Sequence, residues 1–402
     1  MKRSRTLAAI AALAAAAGAL AGCAKDDAAP GGSGGDITVA FIGSTESQVY
    51  SFPESSAAAK ARFAAVNDAG GVNGRKINFT SCNDKADPNE AAACVRKAAQ
   101  DKAVAVIGGI SAVGDALTGA LESAKIVYTG NRPLSPGELH SAVAFPLVGG
   151  GASTAGGAGL YAVNTLKCKS IYVIDGDVPG NRTVAAAFKA GVKAASGKEP
   201  GETVTPATSS DYAPAAAAAA SAGADCVYYA ISVPEMPKAI PAFRRALPGA
   251  TLITSSGNLP GPIIKALGAD AEGFVLSDSQ IPVTTKGNAY LDQFHAEMTK
   301  YTPDATQSAF ALSSWMGADL LVKVLQGMSG DVSAASVLDA YRKLGAVQGH
   351  GVIGDFAFSD KGAVPDAPRL FNVKYTVVKV VKGEPTLEGA AEFGDATPAL
   401  QH

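Results

Sequence analysis

The sequence predicts an α/β protein made of two doubly wound parallel-sheet lobes. Segments with strand character and segments with helix character alternate from residue 36 to residue 128, and the same alternation returns from residue 169 to residue 277. Alternation of this kind predicts a parallel sheet with helices on both faces. The segment 103–107 (AVAVI) is apolar at every position, which is typical of a parallel strand that is buried on both faces.

In the first unit, local signals set the element boundaries. The clearest signal is Asp87-Pro88-Asn89-Glu90, which combines an acidic N-cap, a proline at the first helical position and a glutamate three residues after the cap. This pattern predicts a helix that begins at Pro88. The other predicted elements of this unit are strands at 36–42, 76–81, 103–107 and 125–128, and helices at 55–67 and 112–124.

The second unit repeats this arrangement and is followed by a long helix. Its predicted strands are 169–174, 202–206, 225–231, 251–255 and 273–277, and its predicted helices are 183–196, 212–222 and 236–247. The segment 306–328 carries apolar residues at helical spacing and is predicted to form one helix. A single aromatic residue on such a stripe is more often core than ligand contact, so Trp315 is expected to be buried.

The start of the chain has the pattern of an export signal. A basic beginning and an uncharged apolar run end at Leu20-Ala21-Gly22-Cys23, which looks like a bacterial lipobox. We therefore expect residues 1–22 to be a lipoprotein signal peptide, Cys23 to carry the lipid, and residues 23–36, rich in glycine, to be a flexible tether. The alternative is an ordinary signal peptide that is cleaved near Ala21.

Composition narrows the classes of partner. The formal net charge is −2 and would become more negative without the basic start, which argues against nucleic acid as a partner and against binding to membranes other than through a lipid anchor. The four scattered histidines and the cysteines without CxxC spacing predict neither a metal site nor a cofactor site.

Four cysteines remain after Cys23, and an even number in an exported protein suggests two disulfides, for which three connectivities exist. Cys82 and Cys94 are a local pair. Cys168 and Cys226 stand at the start of the first and third strands of the second unit, which should be neighbours in the sheet, so we predict a second disulfide there.

A ligand is expected at the carboxyl ends of the strands, where open parallel sheets bind their ligands. In the first unit these ends carry small polar residues, and Ser111 with Ala112 begins a predicted helix whose free amides could bind a carboxylate. A plain N-cap is the other interpretation of Ser111. The remaining candidates for ligand contact follow other strands of the two units, and they are Thr129, Asn131, Asp177, Ser232 and Asn258.

Four segments resemble those of a known family, in the order seen there. They are AVNDAGGVNGRKI (65–77), AVIGGISAV (105–113), YYAISVPEM (228–236) and GVIGDFAFSDKG (351–362). The sequence is similar to type I periplasmic binding proteins, and within them to the leucine/isoleucine/valine-binding receptors of ABC transporters. The resemblance implies two lobes joined by three hinge crossings, with residues 37–147 and 280–352 in lobe 1 and residues 148–279 and 353–395 in lobe 2.

The resemblance also implies roles for individual residues. The carboxylate-binding serine of the family corresponds to Ser111, contacts after the fourth strand fall near Thr129 and Asn131, and the resemblance matches Tyr50 to a tyrosine after the first strand. The sequence differs from the family where an acid would pair with the ammonium group of the ligand, because that position falls near the uncharged Asn258.

Together these features predict a binding protein and not an enzyme. The leading hypothesis is a lipid-anchored extracytoplasmic receptor of an ABC importer, which closes around a small polar solute such as a branched-chain amino acid or a related carboxylate or amide and delivers it to a permease. A ligand sensor of the same fold is the alternative. A surface hydrolase is disfavoured, because the sequence offers no nucleophile with a matching base.

Overall fold

The computed structural model describes residues 35–47, 51–206, 209–358, 362, 364–387 and 391–401. It confirms the predicted α/β class and the two lobes, each of which is built on its own sheet. The predicted signal peptide, Cys23 and nearly all of the tether lie outside the described residues, as does Tyr50.

The strands and helices are numbered in chain order. The strands are β1 (Ile37–Gly43), β2 (Ile77–Asn83), β3 (Ala105–Gly108), β4 (Val127–Thr129), β5 (Ala144–Phe145), β6 (Ile171–Gly176), β7 (Gly201–Thr205), β8 (Cys226–Ala230), β9 (Thr251–Ser255), β10 (Val275–Asp278), β11 (Ala346–Val347), β12 (Phe356–Ala357), β13 (Lys374–Val381), β14 (Glu384–Thr386) and β15 (Gly394–Asp395). The α-helices are α1 (Pro53–Asp68), α2 (Pro88–Gln100), α3 (Gly114–Ala124), α4 (Pro136–His140), α5 (Gly150–Asn164), α6 (Pro179–Ser196), α7 (Ala213–Ser221), α8 (Met236–Ala246), α9 (Gly261–Leu267), α10 (Ala289–Tyr301), α11 (Ala309–Gly327), α12 (Ala334–Lys343) and α13 (Thr397–Leu400).

Lobe 1 contains a parallel sheet of five strands in the order β2-β1-β3-β4-β5. This is the flavodoxin-like order on which the predicted ligand position depends. Helix α2 begins as predicted, because the Asp87 carboxylate accepts hydrogen bonds from the backbone N–H groups of Asn89 at 2.7 Å and Glu90 at 3.1 Å. The order places the carboxyl ends of β1 and β3 side by side.

Trp315 on α11 is fully buried in the core of lobe 1, as predicted, and it takes part in a buried charge network. Its Nε1 donates to Glu297 at 2.7 Å, and Arg62 forms ion pairs with Glu297 at 3.0 Å and with Asp319 at 2.9 Å. Burial by itself would raise the pKa of the Asp319 carboxyl. Hydrogen bonds from Tyr290 and Lys323 and the charge of Arg62 outweigh burial and hold this pKa below its ordinary value.

Lobe 2 repeats the same order, β7-β6-β8-β9-β10, and then extends it with β13, which pairs with β10 in the antiparallel direction. Both predicted disulfides are present, Cys82–Cys94 in lobe 1 and, in lobe 2, Cys168–Cys226, which joins the segment before β6 to the first residue of the neighbouring β8. In the part of the chain that the structure describes, no helix has both the length and the apolar character needed to cross a membrane.

The chain passes between the lobes three times, after β5, after β10 and before β13. The last passage comes later than the predicted boundary at residue 353. Phe358 and Phe371 are buried in the core of lobe 1, and β12 pairs with β11 of that lobe. The buried Asn372 then donates to the backbone oxygens of Leu147 at 2.9 Å and Gly354 at 3.3 Å, which ties the crossing segments together.

Candidate ligand-binding site

A cleft with a volume of about 230 Å³ lies between the lobes, and both lobes form its walls. Lobe 1 contributes the loops that follow β3 and β4 and the start of α11. Lobe 2 contributes the end of β9 with the residues that follow it and the last two residues of β10, and the starts of α5 and α6 also line the cleft. Since ligands of open parallel sheets bind at the carboxyl ends of the strands, this cleft combines two binding edges of that kind.

An ion pair connects the two lobes inside the cleft. Arg132, in the loop after β4, donates from Nη2 to Oδ1 of Asp278, the last residue of β10, at 2.8 Å. The two side chains are only 12% and 10% exposed. Nη1 of Arg132 also donates to Gln280 Oε1 and Ser313 Oγ, both at 3.2 Å. The guanidinium is therefore fixed in one orientation at the edge of the cleft.

Asp278 is held by several groups of the protein in addition to Arg132. Its Oδ1 also accepts a hydrogen bond from the backbone N–H of Ser279 at 2.7 Å, and its Oδ2 accepts one from Ser256 Oγ. Both carboxylate oxygens therefore have donors supplied by the chain.

The rest of the cleft lining combines four apolar side chains with glycines and uncharged polar residues. Ile110, Leu134, Val184 and Phe310 contribute side chains to it, and Leu134 is 46% exposed. The ring of Phe310 lies 5.5 Å from the guanidinium carbon of Arg132 and packs against Phe52 with 4.2 Å between ring centroids. An apolar surface beside a fixed charge is a typical arrangement for binding a small amphipathic molecule.

Comparison with known proteins identifies a family whose members bind solutes, which agrees with a cleft between two lobes. A family model described as periplasmic binding protein matches residues 36–384. The chain belongs to this family. Proteins of the family act outside the cytoplasm and bind solutes without transforming them, which confirms both the resemblance indicated by the sequence motifs and the prediction of a binding protein instead of an enzyme.

Similar proteins include one curated relative and several solved structures. An amino acid binding protein from Pseudomonas aeruginosa is 33% identical over 143 residues, which is 32% of this chain and 37% of that protein. A branched-chain amino acid transporter substrate-binding protein from Streptococcus pneumoniae, solved with isoleucine, is 16% identical with a TM-score of 0.71 and covers 90% of this chain and 99% of its own. A solute-binding protein from Rhodopseudomonas palustris, solved with 3,4-dihydroxybenzoic acid, is 19% identical with a TM-score of 0.70 and covers 90% and 98%. At these identities the structures establish a shared fold.

Ser111, the predicted carboxylate-binding residue of this periplasmic binding protein, is buried and its hydroxyl is already engaged. Its Oγ donates to Asp84 Oδ2 at 2.6 Å, and Ser44 Oγ donates to the other carboxylate oxygen at 2.6 Å. Ser111 Oγ accepts from the backbone N–H of Val113 at 3.2 Å, and α3 begins only at Gly114. Ser111 is therefore not the N-cap of this helix, and the neighbouring Ile110 lines the cleft in its place.

Thr129 and Asn131 are fully buried and bind other parts of lobe 1. Thr129 Oγ1 donates to the backbone oxygen of Phe145 at 2.9 Å, and Asn131 Nδ2 donates to Glu138 Oε1 at 2.9 Å. Ala112 is exposed at the start of its loop. These side chains belong to the same strand ends as the cleft residues but are not among the residues that line it.

Of the candidates in lobe 2, Asn258 lines the cleft. Ser232 is not among the lining residues, and its Oγ accepts a long hydrogen bond of 3.4 Å from Asn181, which is among them. Asp177 is exposed and forms an ion pair with Arg182 at 3.1 Å, and Arg182 also reaches Asp175 at 3.3 Å. Arg182 therefore pairs with both carboxylates at the end of β6, and neither of them is among the residues that line the cleft.

Sequence reasoning missed Arg132, Asp278 and Phe310. Arg132 directly follows the predicted strand end Thr129-Gly130-Asn131, so its position on the binding edge was available from the sequence. Its burial was not available, because burial depends on Asp278 and Phe310, which are distant in the chain.

Proposed function

We propose that this protein is a lipid-anchored receptor of an ABC importer, which closes its two lobes around a small polar solute and presents it to a membrane permease. The observation that supports this proposal most directly is the cleft whose walls come from the strand ends of both lobes. A ligand in such a cleft contacts both lobes at once and therefore favours the closed arrangement.

The expected solute is an amino acid or a related small carboxylate or amide. Among proteins with the same fold, one was solved with isoleucine, one with 4-hydroxybenzoate and one with 3,4-dihydroxybenzoic acid. All three ligands carry a carboxylate. A positively charged Arg132 in the cleft of this protein is compatible with that chemistry.

Thermal unfolding in the presence of a library of amino acids, organic acids and amides tests the proposal. A solute present at 100 times its Kd stabilises the folded state by about 2.7 kcal/mol, which raises Tm by several degrees. We expect one chemical class to produce such a shift and the others to produce none. A protein that gives no shift with any member of the library would contradict the proposal.

The anchor and the permease require separate tests. Acyl chains add about 0.8 kcal/mol of membrane affinity per buried methylene, so a diacylated Cys23 would hold the protein on the membrane. We expect the Cys23→Ser protein to be found in the soluble exported fraction and the wild type in the membrane fraction.

We also expect the liganded protein to stimulate ATP hydrolysis by its transporter in vesicles, which a receptor for a sensor kinase would not do.

A further inference from the structure

We infer that the solute is an organic acid with an apolar body and no ammonium group, and that Arg132 pairs with its carboxylate and sets this specificity. The inference rests on the proposed function, since it identifies the class of solute for the same cleft. It differs from the expectation for Ser111, which placed the carboxylate at the end of β3.

The charges that line the cleft are the first observation. Among the described residues of its lining, Arg132 is the single cation and Asp278 is the single anion, and these two form a direct pair. The other lining residues are neutral. Asn258, which lies near the position where the family resemblance expects an acid, contributes an amide that cannot form an ion pair with an ammonium group.

The remaining hydrogen-bonding capacity of this pair favours an acceptor over a donor. The Asp278 carboxylate has about four lone-pair positions, and three of them accept hydrogen bonds: Oδ1 from Arg132 and the backbone of Ser279, and Oδ2 from the hydroxyl of Ser256, which leaves about one. Arg132 has five N–H donors, and within the described part of the chain they reach three acceptors. Two donors thus remain for a ligand, and a carboxylate is the group that matches a guanidinium best.

The end of β3 is unsuitable for a carboxylate, for a reason that is independent of Arg132. Ser111 has a single hydroxyl proton, and it is donated to Asp84. Ser44 donates its proton to the same acid, which is completely buried. A second carboxylate placed there would find the hydroxyl protons of Ser111 and Ser44 already donated and would lie close to the Asp84 carboxylate, and like charges at short distance repel strongly in a site of low dielectric.

The apolar residues around Arg132 indicate what the rest of the ligand, apart from its carboxylate, should be. Ile110, Val184 and the exposed Leu134 offer aliphatic contacts, and the Phe310 ring lies beside the guanidinium. The volume of about 230 Å³ fits a small molecule, not a peptide or an oligosaccharide. An aromatic or branched aliphatic acid can direct its carboxylate to Arg132 while its body replaces water on these surfaces.

Binding measurements with sets of ligands that share one body test the inference. Each set contains an acid, its amide and the α-amino acid with the same carbon skeleton. One set is 3-phenylpropanoate, 3-phenylpropanamide and L-phenylalanine, and the other is 4-methylpentanoate, 4-methylpentanamide and L-leucine; 4-hydroxybenzoate and 4-hydroxybenzamide form a further pair. By isothermal titration calorimetry we expect an acid to bind most tightly. Because a hydrogen bond to a charged group contributes about 1.5–3 kcal/mol, the matched amide should bind about 10- to 150-fold more weakly.

Variants assign the preference to Arg132. Arg132→Gln should weaken binding of the acid by a similar factor and change binding of the amide little, and Arg132→Lys should restore part of the affinity for the acid. Arg245→Gln is the matched control, because it removes the same charge from an exposed position on α8. Asp278→Asn retains Arg132 and removes the neighbouring negative charge, so it should bind the acid more tightly. This variant tests the inference even where Arg132→Gln is too unstable to purify.

The outcomes separate the inference from the proposed function. If the wild type binds L-leucine, L-phenylalanine or an amide more tightly than the matched acid, the inference is wrong and the receptor function stands. Tight binding of the acid that persists in Arg132→Gln and does not increase in Asp278→Asn also overturns the role of Arg132. If no member of these sets and no member of the wider solute library binds, the proposed function fails as well.

Discussion

Substitution of Gly317 by alanine should disturb the loop that carries Arg132 without touching any residue of the cleft. Gly317 lies in the middle of α11, where the helix packs against the end of β4. A Cβ atom at this position would lie 2.4 Å from the Cα and 2.8 Å from the nitrogen of Gly130. Gly130 has a φ of +76° and is followed after one residue by Arg132, so the added methyl group presses on the backbone of that loop.

The size of the effect follows from these distances. Carbon atoms in contact prefer a separation of about 3.5–4.0 Å, so the loop or the helix has to move by about 1 Å. Inserting a methyl group into a packed site in this way typically costs about 1–3 kcal/mol. For a unit of the size of one lobe, this corresponds to a fall in Tm of about 2–12 °C. A movement of about 1 Å also stretches the 2.8–3.2 Å hydrogen bonds of Arg132 beyond hydrogen-bonding distance. We therefore expect ligand affinity to fall about 10-fold.

Calorimetric unfolding and ligand titration measure both effects. Gly327→Ala is the control, because Gly327 lies on the same helix and no atom is within 4 Å of its Cβ position. That variant should have a Tm equal to or slightly above the wild-type value, since alanine favours the helix by up to about 1 kcal/mol. If Gly317→Ala keeps the wild-type Tm and affinity, the tight contact between α11 and the Arg132 loop does not position the guanidinium.

Three further changes have defined expectations. Serine at both Cys168 and Cys226 opens a loop with a sequence separation of 58 and should lower the free energy of unfolding by about 4 kcal/mol in urea titrations. Asp319→Asn should cost about 3 kcal/mol at pH 7. Because the folded-state pKa of Asp319 is depressed, its contribution is present above about pH 4 and is lost as the pH falls through the folded-state pKa, so the variant should show a weaker acid dependence. Ser111→Ala should destabilise lobe 1 by about 1–2 kcal/mol and keep ligand affinity within about 3-fold.

Each of these expectations has an opposing result. Removal of the other disulfide, Cys82–Cys94, serves as the comparison. Its sequence separation of 12 predicts a smaller loss of unfolding free energy, about 3 kcal/mol. If the two removals cost the same, or if the shorter loop costs more, the loop-entropy argument is wrong. An Asp319→Asn protein with the wild-type acid profile would show that this carboxyl does not govern acid stability. A loss of ligand affinity of 10-fold or more in Ser111→Ala would show that the carboxylate of the ligand binds at the end of β3.

The fold could be predicted because its signals are local. The segment AVAVI and the cap at Asp87 each specify one element through residues that are adjacent in the sequence, and both elements are present in the structure. The missed elements, such as β5 (Ala144–Phe145) and α4 (Pro136–His140), are too short to show a periodic pattern. The return to lobe 2 was placed too early because Phe358 and Phe371, which keep the segment on lobe 1, are buried by partners far away in the chain.

The binding site was predictable at the level of strand ends and not at the level of side chains. Ser111 has the residue type and position of a helix cap and of an anion contact, and nothing nearby in the sequence reveals that Asp84, 27 residues earlier, accepts its proton. Arg132 is a charged residue in a loop, and such residues are usually exposed to solvent. In the structure it is nevertheless buried, because it forms an ion pair with Asp278, 146 residues later in the chain. A strand end fixes where a ligand can lie, but the distant residues that pack against that end decide which of its groups still have free donors. For this reason the bonding capacity left on Arg132, and not the motif around Ser111, is the feature from which the class of solute should be inferred.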